Sequence, residues 1–276
     1  MRLRLVVLAL FALCLLPAGA SAATKTETAT GGDLVVTLTW DQGRFNVVKN
    51  THIQIARSGA TLLDQAVPEP CRQCAVVPAG VTGGGGSLTI RDLDGDGEPE
   101  VIFDMYTGGA HCCSYSWIYR YAGTTYTSLA ATWGNVGYTL VDLNGDGVPE
   151  FRSLDDRFAY EFTDYADSSF PPAIWSYQAG RLTDVTRSYP KLISSDATRQ
   201  LRLYRRERKV RDMRGVVAAY VADEYLLNRG PKGLAFLRLA ERRGDLDGLG
   251  RGDIWPRRSR YVRVLKSFLR RNGYLT

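Results

Sequence analysis

Two short acidic segments in the same register constrain this chain more than any other feature of its sequence. The first, DLDGDGEPE, spans residues 92–100 and holds five carboxylates and two glycines. The second, DLNGDGVPE, spans residues 142–150 and repeats the pattern fifty residues later. A single acidic segment is typical of a solvated turn, but two with matching positions indicate a shared physical cause.

That cause is predicted to be a divalent cation. Side-chain oxygens common to both segments fall at positions 1, 3, 5 and 9, and alternate residues of a curled loop point at one centre. A glycine after the third shared ligand permits the sharp turn, and position 7 offers its backbone carbonyl. Oxygen donors in this number suit calcium, which takes about six to eight. The predicted ligands are Asp92, Asp94, Asp96, Glu98 and Glu100 in loop one, and Asp142, Asn144, Asp146, Val148 and Glu150 in loop two.

The sequence separates these loops from an EF-hand, in which the final glutamate comes three positions later and the flanks are helices. Here Leu88 and Ile90 before loop one, and Val101 and Phe103 after it, alternate as strand residues do. A strand–loop–strand calcium site is therefore expected. Loop one is expected to bind calcium more tightly, since Asn144 removes one charge from loop two. The alternative is two acidic hairpin turns without metal.

The two loops resemble the calcium loops of FG-GAP/VCBS-type repeats, which occur in integrin-α-like β-propellers and in exported bacterial proteins. The resemblance covers roughly residues 88–189 and implies propeller-like blades with calcium at the residues named above. Two clear repeats are too few for a closed propeller. Residues 24–87 are expected to add a degenerate blade. Alternatively, the sheets are expected to form an open array or a sandwich. The family is mostly a binding scaffold, so it implies little about reaction chemistry.

The N-terminus predicts export. Arg2 and Arg4 precede a short apolar run over residues 5–16, and small residues follow Pro17. This pattern is typical of a secretory signal peptide, here residues 1–23. The mature protein is expected to be secreted, extracellular or held in the cell envelope, with no transmembrane segment.

Charge and pattern divide the remaining chain and predict an α+β protein. Residues 24–186 hold 10 Lys and Arg against 20 Asp and Glu, a net charge of −10, whereas residues 187–276 hold 23 against 9, a net charge of +14. Residues 24–189 are predicted to form an all-β domain with strands at 34–40, 51–56, 87–92, 100–106, 115–121, 138–142 and 174–177. Residues 190–276 are predicted to form a basic helical domain with helices at 196–228, 232–243 and 257–272, the first capped by Asp196 and ended by Gly230-Pro231.

Four cysteines follow the signal peptide: Cys71, Cys74, Cys112 and Cys113. An even count in an exported protein favours disulfides, with two bridges from the Cys71/Cys74 loop to the Cys112/Cys113 turn preferred. Zinc held with His111, and a redox role for the CxxC segment, are the alternatives.

No catalytic constellation stands out, so an enzyme is not favoured. His111 and Asp104 are interpreted as structural. The basic helices are interpreted as a solvated face that also packs on the β half. Alternatively they bind an anionic envelope polymer, lipid headgroups or another surface protein; nucleic acid is less favoured because aromatic residues do not interleave with the arginines. The predicted function is binding or adhesion at the cell surface. The alternatives are an extracellular hydrolase built on the repeats and a structural envelope protein.

Overall fold

Three antiparallel sheets in tandem, followed by helices, make up the protein. The computed structural model describes residues 22–71, 76–83, 85–109, 112–248 and 253–275. Each sheet holds four strands in which neighbours along the chain pair with one another. The α+β class is thus confirmed at the level of sheets followed by helices.

The strands of each sheet follow one another directly in the sequence. Sheet 1 contains β1 Ala23–Gly31, β2 Leu34–Gln42, β3 Val48–Arg57 and β4 Ala60–Ala66. A short helix, α1 Ala79–Gly83, precedes sheet 2, which contains β5 Leu88–Arg91, β6 Glu100–Gly109, β7 Cys112–Tyr121 and β8 Tyr126–Gly134. Sheet 3 contains β9 Tyr138–Val141, β10 Glu150–Leu154, β11 Pro172–Gln178 and β12 Arg181–Asp184. The seven predicted strands are all present.

Five strands (β1, β4, β8, β10 and β12) were not predicted from the sequence. The segment of β1, ATKTETATG, is mostly exposed and has no alternation of apolar residues. Such a strand is held by pairing with β2 along its whole length. Because edge strands carry little apolar periodicity, their pairing partner decides their structure.

Apolar side chains join the three sheets in sequence. One buried cluster combines Leu38 and Ile53 of sheet 1 with Phe103 and Tyr119 of sheet 2. A second combines Ile118 and Trp133 of sheet 2 with Phe151 and Tyr177 of sheet 3. Sheet 2 therefore contributes one face to each cluster and lies between its neighbours.

The helices form a third cluster. They are α2 Pro190–Glu207, α3 Arg214–Leu226, α4 Gly230–Arg242 and α5 Arg258–Arg271. The first helix begins at Pro190, where the predicted helical domain starts, but Phe158 and Phe162 from the segment after β10 also lie in the helical core. None of the helices among the described residues is both long and apolar enough to cross a membrane.

The prediction of one long helix over 196–228 capped by Asp196 was wrong. Tyr189 is the N-cap residue of α2, which ends at Glu207, and the next helix, α3, begins only at Arg214. The break places the Arg214 side chain in the interior, where it pairs with Asp212 and Asp253. A straight helix would keep its apolar residues on one stripe, whereas α3 is buried on nearly all sides. Gly230-Pro231, which was predicted to end the first helix, instead begins α4. A proline in the first turn of a helix costs no hydrogen bond.

Candidate metal centre

The two acidic loops occupy equivalent places in successive sheets. Loop one (residues 92–99) joins β5 to β6, and loop two (residues 142–149) joins β9 to β10. Glu100 opens β6 opposite Arg91, and Glu150 opens β10 opposite Val141. The predicted strand–loop–strand arrangement is confirmed for both.

Backbone N–H groups curl loop one around its carboxylates. Asp92 accepts hydrogen bonds from the backbone nitrogens of Gly95 (2.8 Å) and Gly97 (3.0 Å). Glu100 Oε2 accepts from Leu93 N at 3.0 Å. Gly95 and Gly97 have φ values of 76° and 85°, conformations that favour glycine.

Loop two repeats these bonds residue for residue. Asp142 accepts from Gly145 N (2.7 Å) and Gly147 N (2.9 Å), and Glu150 Oε2 accepts from Leu143 N (2.9 Å). The Gly147 N–H is the main reason that the pKa of Asp142 lies below its usual value. The sequence repeat is therefore a repeat of backbone structure.

Loop one brings three carboxylates together. One oxygen each from Asp92, Asp94 and Glu100 lie within 4.8 Å of one another. The Asp94 side chain is only 5% exposed, and its buried Oδ1 has no hydrogen-bond partner among the described residues. An orphaned buried oxygen of this kind is costly unless a cation or donor reaches it.

Burial and the neighbouring carboxylates change the pKa of Glu100. Its side chain is 1% exposed, and burial raises its pKa to about 7. The nearby carboxylates of Asp94, Asp96 and Asp92 raise the pKa further, while the Leu93 N–H opposes them. The site therefore favours either a proton or a cation on Glu100.

Two arginines that the sequence reasoning missed approach loop one. Arg120 of β7 places Nη2 3.2 Å from Asp96 Oδ2 and Nε 4.0 Å from Glu100 Oε1. Arg57 of β3 pairs with Glu98 at 2.6 Å. Five carboxylates less two guanidinium groups leave three negative charges in loop one. Arg120 could have been suspected only from knowing the register, since it follows Tyr119, which is opposite Val101 of β6.

Loop two reaches the same charge by a different route. Its three carboxylates, on Asp142, Asp146 and Glu150, form no ion pair with any described residue. Tyr189 donates its hydroxyl to Glu150 Oε1 at 2.5 Å, and Asn144 donates to Asp146 Oδ2 at 2.8 Å. Because Arg57 and Arg120 pair with loop one, its additional carboxylates no longer give it a larger negative charge than loop two. The relative affinity of the two loops stays a prediction.

Contacts across the sheets place the loops side by side. A side chain on Gly95 would come within 2.9 Å of Val148 Cγ2, so the loops touch there. Ala179 N, in the turn between β11 and β12, donates to Asp94 Oδ2 at 2.9 Å. At position 7 the side chains also have roles, because Glu98 pairs with Arg57 of sheet 1 and Val148 packs on loop one. Each position-7 side chain thus contacts the sheet that precedes its own in the sequence.

The donor set of loop one fits calcium. Carboxylate oxygens are the hard ligands that this ion prefers, and the orphaned Asp94 oxygen offers it a site. Asp96 is partly diverted, because its Oδ1 accepts from Glu98 N and its Oδ2 pairs with Arg120. Asp92, Asp94 and Glu100 would be the primary side-chain ligands.

The cysteine region is described only in part. Cys71 and Cys113 are each disulfide-bonded. Cys74, His111 and the Cys112 side chain lie outside the described residues, so the predicted pairing, zinc and redox roles stay predictions.

Asp104 accepts hydrogen bonds from the Tyr138 hydroxyl (3.0 Å) and from Ser116, and burial raises its pKa.

Comparison with known proteins finds one family match, in the helical half, and two curated relatives. Residues 193–273, which run from α2 past the end of α5, match the model of the sll0997 C-terminal domain family. The probable thylakoid lumen protein sll0997 of Synechocystis sp. (strain ATCC 27184 / PCC 6803 / Kazusa) is 32% identical over 167 residues, which cover 53% of this chain and 45% of the relative. The uncharacterized protein y4bJ of Sinorhizobium fredii (strain NBRC 101917 / NGR234) is 42% identical over 89 residues, 32% of this chain and 14% of the relative. The chain thus spans less than half the length of these curated relatives. No solved structure matches it significantly.

Proposed function

We propose that the protein is an exported, non-enzymatic binding scaffold whose sheets are fixed by calcium in the two acidic loops. The observation that carries the proposal is the carboxylate cluster of Asp92, Asp94 and Glu100 with its orphaned Asp94 oxygen. A bound calcium ion would accept that oxygen and favour the ionised form of Glu100.

Charge balance supports a cation in both loops. Loop one keeps three negative charges after its two arginine partners are counted, and loop two carries three carboxylates that pair with no described arginine. Like charges held within a few ångströms repel one another by several kcal/mol at protein-like dielectric constants. A divalent cation offsets most of this repulsion, and its role is structural because each loop connects two adjacent strands of one sheet.

The fold supports an FG-GAP-like assignment. We propose that the three meanders are blades of an open, propeller-like array, with sheet 1 as the degenerate blade. The calcium loops of sheets 2 and 3 touch at Gly95 and Val148, so calcium in either loop would stiffen the contact between neighbouring blades.

Export is supported by the signal-like N-terminus and by a relative whose name places it in the thylakoid lumen. We propose a secreted or envelope location. Several exposed arginines of the helices, among them Arg202, Arg238 and Arg263, form no ion pair with described residues and are suited to an anionic envelope polymer. Others, such as Arg199, Arg206 and Arg258, pair with carboxylates.

A thermal melt of the mature, oxidised protein tests the calcium proposal. Calcium is expected to raise the unfolding midpoint relative to EDTA. Asp94→Asn, which gives loop one the residue found in loop two, should reduce this rise. The matched control is Asp64→Asn, an exposed carboxylate on β4 that should leave the calcium response unchanged. A midpoint that does not respond to calcium would refute the proposal.

A further inference from the structure

A cleft separate from the acidic loops lies where sheet 2, sheet 3 and two helix ends meet. It encloses about 620 Å³ and includes Trp133 and Gly134 of β8, Trp175 of β11, and the C-terminal ends of α3 and α5. Small-molecule sites commonly occupy about 300–1,000 Å³ and are often found between domains. The cleft therefore has the size and position of a ligand site.

The cleft carries an aromatic side chain beside a carboxylate. Trp175 is opposite Asp184 in the register of β11 and β12, so the two side chains share one face of sheet 3. Trp175 is half-buried and lines the cleft, as does Asp184. Asp184 Oδ1 accepts from Thr186 N at 2.9 Å, whereas its Oδ2 accepts no hydrogen bond from the described residues.

A second carboxylate is held in place by the backbone. Asp156 Oδ1 accepts from Asn135 N at 3.2 Å, and its Oδ2 has no partner among the described residues. A Cβ on Gly134 would lie 2.0 Å from that Oδ2, and Gly134 has a φ of 63°. The glycine therefore creates the room that Asp156 occupies in the wall of the cleft.

The positive groups of the cleft are already used. Arg157 binds Asp155 through Nε and Nη2 and Asn272 through Nη1. Arg187 donates to the carbonyl oxygens of Leu226 (3.1 Å) and Tyr274 (3.1 Å), capping two helices. The cleft thus presents free hydrogen-bond acceptors and an indole, which disfavours an anionic ligand.

We propose that this cleft binds an uncharged oligosaccharide. Sugar hydroxyls would donate to the free oxygens of Asp156 and Asp184, and a sugar's C–H face would pack on the Trp175 indole. The inference deepens the proposed binding role by naming a ligand class. It uses no residue of the calcium loops. The saccharide proposal and the calcium proposal can therefore be refuted independently of each other.

Titration of the full mature protein with cellotetraose and N-acetylchitotetraose, followed by tryptophan fluorescence and calorimetry, tests the proposal. Saturable binding of at least one of the two is expected. Trp175→Leu and Asp156→Asn are each expected to weaken it about tenfold or more, because each removes a stacking surface or a charge-assisted hydrogen bond. Asn keeps the oxygen that accepts from Asn135 N, so this variant tests the charge without disturbing the fold.

Matched controls are Trp117→Leu, another half-buried indole on sheet 2 that lies outside the cleft, and the exposed Glu69→Gln. Both should leave binding unchanged. Failure of both sugars to bind, or equal loss in cleft and control variants, would overturn the proposal. Binding of an arginine-rich peptide in the cleft, with no binding of either sugar, would also overturn the proposal and assign the cleft to a protein segment. Loss of the calcium response alone leaves this result unaffected.

Discussion

Removal of the Glu100 charge is expected to stabilise the calcium-free protein. Its pKa is about 7 instead of 4.5, and each pKa unit corresponds to about 1.4 kcal/mol, so ionised Glu100 lowers the free energy of unfolding by up to about 3 kcal/mol. A raised carboxyl pKa contributes stability that is present below pH 4.5 and lost as the pH rises through about 7. In EDTA at about pH 8, Glu100→Gln should therefore unfold at higher urea than the wild type. The glutamine oxygen can still accept from Leu93 N.

Calcium narrows this difference, because loop one of the wild type gains more from the ion than loop one of Glu100→Gln does. With about 10 mM calcium and a dissociation constant of roughly 10⁻⁴–10⁻³ M, one site stabilises the wild type by about 1.4 to 2.7 kcal/mol. Glu100→Gln lacks a ligand and should lose most of this gain from loop one. Urea denaturation followed by tryptophan fluorescence, at about pH 5 and about pH 8 with and without calcium, measures all four conditions.

Glu150→Gln is the matched control at the equivalent position of loop two. Tyr189 and Leu143 each hydrogen-bond one oxygen of Glu150, so this change should cost about 1–2 kcal/mol in EDTA. The two substitutions are thus expected to act in opposite directions without calcium. If Glu100→Gln destabilises the calcium-free protein at about pH 8 as Glu150→Gln does, the reasoning about the buried charge is refuted.

Three further changes follow from particular contacts. Arg120→Gln removes a positive charge beside loop one and should tighten calcium binding about tenfold, measured by calorimetry; an unchanged affinity would contradict the charge balance. Arg214→Met removes the ion-pair partner of buried Asp212 and one of the two arginine partners of Asp253, and should cost about 3–5 kcal/mol in urea denaturation, whereas a loss below about 1 kcal/mol would count against the buried network. Gly134→Ala places a methyl group against Asp156 and should cost about 1–3 kcal/mol and abolish saccharide binding; full binding in a folded variant would contradict the cleft geometry.

Much of the fold could be predicted because its signals are local. The spacing of carboxylates and glycines in each acidic loop specifies a curled turn between strands, and the structure has the same hydrogen bonds in both copies. Alternating apolar residues likewise located all the inner strands except β10. Edge strand β1 has no such pattern, and the long helix predicted through Arg214 merged two helices of the same period.

The sequence by itself determined which residues form the loops, the strand–loop–strand connection and the division into acidic and basic halves, since these depend on neighbours along the chain. Only the tertiary structure decided that Arg120 lies over loop one, that Gly95 touches Val148, and that Trp175 and Asp156 line one cleft. These contacts join residues far apart in sequence. They depend on strand register and sheet packing, which set the local charge and therefore the chemistry of each site.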